Sequence, residues 1–225
     1  MMDVQPFPSD WQTALVLVAH PDDPEYGVGA AVAKWTDAGK TVKYALASRG
    51  EVGIAGMPPE QAGPLREGEQ RRSAAIVGVD DVSFWDFPDS DIRDTPELRA
   101  KIAETIVAVR PDVVVTLYSG PSWAPGAPNQ RDHIEFAHAV AAAYDSLPDP
   151  PAWLFENGPD PTHCEVVDGY TDLAVSSLAA HKVYLSVLDP QTSVVEQARK
   201  QVEMSTPALS GFGERTVGFI LKRHH

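Results

Sequence analysis

At 225 residues, 43% of them apolar and 22% charged, the chain is long enough for one domain with a sizeable buried core, and a disordered or fibrous protein is excluded. With 18 Lys and Arg against 32 Asp and Glu the formal charge is −14, the wrong sign for tracking phosphates or an anionic bilayer, which sets nucleic acid and stable membrane anchoring aside. Cys164 is the only cysteine, so an intrachain disulfide and a thiolate metal cluster are both excluded and any metal must sit on His, Asp or Glu.

Residues 1–12 read as a polar tail ahead of a single domain spanning 1–225, with neither the basic start nor the apolar run of a signal peptide. No stretch approaches the roughly 18 apolar residues of a membrane span, so a cytoplasmic protein is expected. ALVLVA, residues 14–19, is a short unbroken apolar run of the kind a strand buried on both faces shows. Gly27 to Ala38 is Ala-rich with Val28, Val32 and Trp35 at helical spacing, and Gly39 follows as a natural stop. TVKYALAS is the next strand, after which a long Gly- and Pro-rich loop from Gly50 to Pro64 leads into a polar helix at about Arg66 to Val77. Loops of that length inside a compact domain usually line a site. VSFWDF from Val82 is a third strand, and Thr95-Pro96-Glu97 starts a helix with Leu98, Ile102, Ile106 and Val109 on one face. DVVVTLYS from Asp112 is a fourth strand, followed by a loop from Gly120 to Pro128 and an Ala-rich helix from Asp132 to about Ser146.

Beyond the prolines at 148, 150 and 151 the pattern is weaker. Short strands fit Trp153 to Glu156 and Cys164 to Val167, helices fit Asp172 to Leu188 and Pro190 to Met204, and TVGFILK closes the chain as a strand. Strands alternating with helices predict parallel βαβ units, hence an α/β fold with an open, mostly parallel twisted sheet and helices on both faces.

The chemistry is concentrated after the first strand, in His20-Pro21-Asp22-Asp23, where open α/β sheets place their ligand crevice. One imidazole and two carboxylates in four residues suit Zn²⁺, and one Asp is left free to face a reacting water while its neighbour ligates. A second imidazole, His133, follows the fourth strand at the start of a helix. Both loops should open on the same sheet edge, and His20, Asp23 and His133 then form a three-ligand set with a coordination position to spare, as hydrolytic zinc sites require. His138 and His181 are expected to be structural, and Arg66 with Glu69 reads most simply as a surface pair at i and i+3. Gly27 and Gly29 lack the third glycine of a dinucleotide fingerprint.

A-H-P-D-D, then E-x-G-x-G, then a later D-H, resembles the PIG-L or LmbE-like family of metal-dependent N-deacetylases, and the likeness extends to S-R-G-E-V-G from Ser48, P-D-S at Asp89 and L-A-A-H at Leu178 to His181. The resemblance implies a Rossmann-like fold, zinc on His20, Asp23 and His133, Asp22 as general base, and Glu51, Arg66 and Asp89 as sugar-binding positions. It implies hydrolysis of the amide of an N-acetylglucosamine-type substrate, a small N-acetylated sugar or glycoconjugate, and leaves self-assembly into a homo-oligomer open. Family members of known activity usually carry H-P-D-H where this chain has Gln130-Arg131-Asp132-His133. Gln130 can donate an N–H at the oxyanion but cannot carry charge, and Asp132 is either catalytic or the helix N-cap. The alternatives are a catalytically weakened zinc- or sugar-binding member, motivated by Gln130, and an amidase acting on a non-sugar amide.

Overall fold

A computed structural model describes residues 4–225. The core runs β2 (Thr13–Val18), α1 (Asp23–Gly27), α2 (Gly29–Asp37), β3 (Thr41–Leu46), α3 (Pro59–Ile76), β4 (Asp81–Phe84), α4 (Pro96–Val109), β5 (Val113–Thr116), α5 (Arg131–Asp145) and β8 (Trp153–Asn157), with β1 (Gln5–Pro6) before it and the hairpin strands β6 (Ser122–Ala124) and β7 (Ala127–Pro128) inserted ahead of α5. The chain then adds β9 (His163–Val166), α6 (Thr171–Leu178), α7 (Lys182–Leu188), α8 (Val194–Ser205) and β10 (Thr216–His224). The main sheet has the order β1-β9-β10-β8-β5-β2-β3-β4. β8, β5, β2, β3 and β4 pair in parallel, and β10 enters antiparallel to both β8 and β9.

The unbroken apolar runs are explained by this order. β2 lies mid-sheet, paired Ala14 with Val113 on one side and Ala14 with Val42 on the other, and its residues 14–18 are all buried. The chain moves outward through β3 to β4, then crosses back to β5 and β8. Right-handed crossovers therefore place α2 and α3 on one face and α4 and α5 on the other. α4 begins as its sequence dictates: Thr95 Oγ1 accepts from Leu98 N at 3.3 Å, Pro96 occupies the first turn, and Leu98, Ile102 and Ile106 are buried.

Four expectations are corrected. The described part of the 1–12 tail is bound in, with β1 paired to β9 and Phe7 and Trp11 buried against Trp35. The helix expected near Arg66 starts at Pro59, so Pro64 is inside it and the loop ends at Pro58. The lost N–H is offset by tertiary contacts, because Ala62, Gly63, Arg66, Glu69, Gln70, Ser73 and Ala74 of α3 are buried. The Gly27–Ala38 helix is two, α1 and α2, joined at Val28. The 172–188 helix also breaks, at residues 179–181, where the carboxylate of Glu69 accepts from the first amides of α7, Val183 N at 2.7 Å and Tyr184 N at 3.4 Å. No helix of the described residues is long and apolar enough to cross a membrane.

Candidate metal centre and catalytic site

The strand order reverses between β2 and β5, and the two loops leaving their carboxyl ends diverge there to open the crevice. The loop after β2 carries His20, Pro21, Asp22 and Asp23, and the first turn of α5, reached from β5, carries Asp132 and His133. The fold thus brings together residues more than a hundred positions apart. The His20 and His133 rings lie 5.4 Å apart between centroids.

Asp23 sits between them. Its Oδ2 accepts from the backbone N–H of His20 at 2.7 Å and of Ala19 at 3.1 Å, which fixes the carboxylate, and its Oδ1 lies 3.0 Å from His133 Nε2. Burial works against its charge, but the His133 and His20 rings and the His20 amide bring its pKa down to about 2. His20 Nδ1 is 3.6 Å from Asp23 Oδ2. His133 Nδ1 is buried without a hydrogen-bond partner among the described residues, and Nε2 meets the Asp23 carboxylate alone, off hydrogen-bond geometry. A buried imidazole so poorly satisfied, beside a fixed carboxylate and a second imidazole, fits a divalent cation of borderline softness, and His20, Asp23 and His133 offer donor atoms all within 4.8 Å of one another.

Asp22 is not one of this set but lies within electrostatic reach of His20 and Asp23. It takes a left-handed backbone conformation at φ 84°, sparsely populated by non-glycine residues, and is held there by Gln70 Oε1, which accepts its N–H at 2.7 Å. Its Oδ2 pairs with Arg66 Nη2 at 3.3 Å. Burial pushes its pKa up to about 6, even though Arg66 pulls it the other way, so the carboxylate is poised to exchange a proton near neutrality.

Arg66 is no surface residue. It is 3% exposed, and its guanidinium donates to Pro21 O at 2.7 Å and Gly50 O at 3.1 Å while stacking 4.3 Å from the Tyr184 ring centre. Glu69, its expected surface partner, is buried at the α7 start instead. The S-R-G-E-V-G loop now has a reason: a Cβ on Gly50 or Gly53 would stand 2.1 or 2.3 Å from Arg66 Nη1. The other two expected sugar contacts are also engaged with protein atoms. Glu51 Oε1 accepts from Asp89 N at 3.0 Å, while Asp89 Oδ2 accepts from Val52 N at 2.9 Å and its Oδ1 lies 3.3 Å from His20 Nε2.

Asp132 is not the N-cap. Gln130 holds that position, exposed and without a capping hydrogen bond, and Asp132 is buried inside the first turn with Oδ2 3.2 Å from His20 Nε2. Although burial works against it, hydrogen bonding to Asp132 and the charges of Asp23 and Asp89 raise the pKa of His20. His138 is exposed on α5, and His163 lies in β9 against Phe155, away from the cluster. His181 is fully buried at the start of α7, 3.4 Å from Glu25 Oε2.

The sequence did not single out Gln70, Tyr26 or Tyr184, and it gave Glu25 no task. Gln70 ties Asp22 to Glu25, donating to Glu25 Oε1 at 2.8 Å. Burial first and Asp22 second hold the Tyr26 phenol well above its ordinary range, and the charge of Asp22 does the same to Tyr184. Glu25 stood in a legible motif, whereas a tyrosine on a remote helix carries no local signal.

Residues 15–144 match the family described as PIG-L, GlcNAc-PI de-N-acetylase. The chain is 34% identical over 148 residues to the diacetylchitobiose deacetylase of Thermococcus kodakarensis, covering 64% of this chain and 54% of that protein. It is 30% identical over 142 residues to a probable N-acetyl-alpha-D-glucosaminyl L-malate deacetylase 2 of Bacillus anthracis, covering 60% of each. The chain thus spans about half to three-fifths of the length of these curated relatives. The solved structure of the N,N'-diacetylchitobiose deacetylase of Pyrococcus horikoshii with its inhibitor MPG superposes at a TM-score of 0.82 over 95% of this chain and 84% of that one, at 17% identity, which shows the shared fold.

Proposed function

The chain belongs to the PIG-L family of GlcNAc-PI de-N-acetylases, and from that premise we propose that it is a zinc-dependent hydrolase that removes the acetyl group from an N-acetylglucosamine-type substrate. Supporting this reading, diacetylchitobiose and N-acetylglucosaminyl-malate deacetylases are among its relatives. The observation that carries it is the pairing of a cation-binding set, His20, Asp23 and His133, with a separate buried carboxylate, Asp22, whose pKa is raised to about 6.

An amide carbonyl is a weak electrophile, so its hydrolysis needs an activated water, a stabilised oxyanion and a proton for the departing amine. His20, Asp23 and His133 would hold the zinc, which would supply Lewis acidity to polarise a carbonyl and to acidify water. Asp22 takes the proton of the attacking water and returns it to the amine, acting in turn as base and acid. A carboxylate titrating near 6 is matched to both halves of that cycle, whereas one at the ordinary 3.8 would return its proton poorly. Arg66 fixes the Asp22 loop from below through Pro21 O and Gly50 O, and Gln70 fixes its backbone. Glu51 and Asp89 tie their two loops to each other, and the sugar-binding role is assigned to these loops. Gln130, exposed at the start of α5, could give an oxyanion a neutral amide N–H but no charge.

The test is acetate release by the zinc-loaded protein from N,N'-diacetylchitobiose, N-acetylglucosaminyl malate and simple N-acetyl amines, with the free amine counted in parallel. Turnover of the sugars over the simple amines is expected. Binding without turnover would instead support the weakened member that Gln130 suggests, and turnover confined to non-sugar amides would support an amidase.

A further inference from the structure

We propose that Asp132, assisted by Asp89, fixes the ring tautomer of His20 and thereby directs its Nδ1 to the cation, a positioning role that rests on the metal reading above. His20 Nε2 lies 3.2 Å from Asp132 Oδ2 and 3.3 Å from Asp89 Oδ1. Ionised carboxylates only accept, so a hydrogen bond at this nitrogen requires that Nε2 carry the proton. In the neutral ring Nδ1 is then the nitrogen with a free lone pair, and it is the one turned toward Asp23, 3.6 Å from Oδ2. A carboxylate fixing one nitrogen of a ligating imidazole sets both its tautomer and its orientation.

Local structure explains why Asp132 is available for this. It occupies the second position of α5, one residue before His133, so a single helix start aims a carboxylate at one candidate ligand and supplies the other. Gln130, two residues earlier, is exposed, and no hydrogen bond links it to Asp132. A carboxylate in the first turn of a helix is also favourable for the helix itself. That plain structural role predicts a loss of stability on substitution and no change in the state of His20.

Two measurements separate the roles. In the metal-free protein, at a pH above the raised titration of His20 so that the ring is neutral, ¹⁵N-imidazole NMR should show His20 with a protonated Nε2 and an unprotonated Nδ1, and Asp132→Asn should convert this to a tautomer mixture, since an amide can either accept from or donate to Nε2. Zinc affinity, measured by competition with a chromophoric chelator, should fall about 10- to 100-fold in Asp132→Asn. The fall should be smaller in Asp89→Asn, because one oxygen of Asp89 is already committed to Val52 N. A neutral His20 ring that carries its proton on Nδ1 in the wild type, or Asp132→Asn binding zinc as tightly as wild type, overturns the proposal. So does a second zinc per chain that disappears in Asp132→Asn, because Nε2 would then be a ligand itself. A wild type that binds no zinc overturns the metal reading instead, and the proposal falls with it.

Discussion

Replacing Asp22 with Asn in the metal-free protein should make it more stable, and only above about pH 4. In the folded chain the Asp22 carboxyl titrates near 6, against 3.8 for the ordinary group. Between those values the folded state holds a proton that the unfolded state has released, so stability declines as pH rises from 3.8 and levels off once 6 is passed. The difference of about 2 pH units corresponds to roughly 3 kcal/mol at neutral pH. Asn keeps the shape, tolerates φ 84° at least as well as Asp, and retains an oxygen that can accept from Arg66. For a chain of this size about 1 kcal/mol moves the melting temperature roughly 2–4 °C, so Asp22→Asn should melt about 6–12 °C higher at pH 8 and no higher than wild type near pH 4. Urea or thermal denaturation with a chelator present, at four pH values, measures this directly. An equal gain at every pH would mean that the effect comes from backbone propensity and not from the buried charge. A loss at pH 8 would mean that Arg66 stabilises the carboxylate more than burial penalises it. The same variant should retain zinc once reloaded and lose about 10²- to 10⁴-fold in kcat, the usual scale for a missing acid–base group.

Asp23→Asn and His133→Ala should each lose zinc by elemental analysis, whereas Asp22→Asn keeps it; the reverse pattern would exchange the roles of the two carboxylates. Gly53→Ala puts a methyl 2.3 Å from Arg66 Nη1, so the guanidinium must shift away from Asp22, and kcat/KM should fall by up to about 10²-fold with zinc content unchanged. Thr95→Ala removes the side-chain cap of α4, which bonds only to the start of its own helix, and should lower stability in urea by about 1 kcal/mol while leaving activity intact. Cys164 is buried and its thiol is pushed up to about 11 by burial, so a thiol reagent at pH 8 should modify it only as fast as the protein unfolds.

The legible parts of this chain are those whose physics is local. ALVLVA announces a strand buried on both faces because it has no polar alternation, and the four residues after it announce a cation site because three donors crowd into one turn. Thr95, Pro96 and the 98, 102, 106 spacing mark α4 for the same reason. What stayed hidden depends on depth. Arg66 and Glu69 one turn apart look like a solvated pair, and nothing in the sequence says that α3 is wedged between the Asp22 loop and α7 so that each charge finds a different buried partner. Pro64 likewise reads as the end of a loop until the packing of its helix outweighs the missing hydrogen bond. Tyr184 joins the site only because Glu69 stops one helix and starts the next there.

The places where local rules fail are therefore concentrated on one residue and its supports. Asp22 combines a left-handed backbone with a buried, weakly paired charge, two features that each oppose folding. Its neighbours are arranged to enforce both. Gln70 accepts the Asp22 amide and donates to Glu25, Glu25 is buried against His181, and Arg66 bridges Pro21 and Gly50 across the loop. None of these four side chains is needed to bury apolar surface, and Gln70, Glu25 and His181 are each at most 1% exposed. Folding a polar scaffold of this kind behind a single strained carboxylate is costly unless the carboxylate has a task, whereas Asp23 beside it sits in a relaxed, backbone-bonded arrangement suited to holding an ion. The division of labour proposed for the adjacent aspartates thus follows from how each is supported.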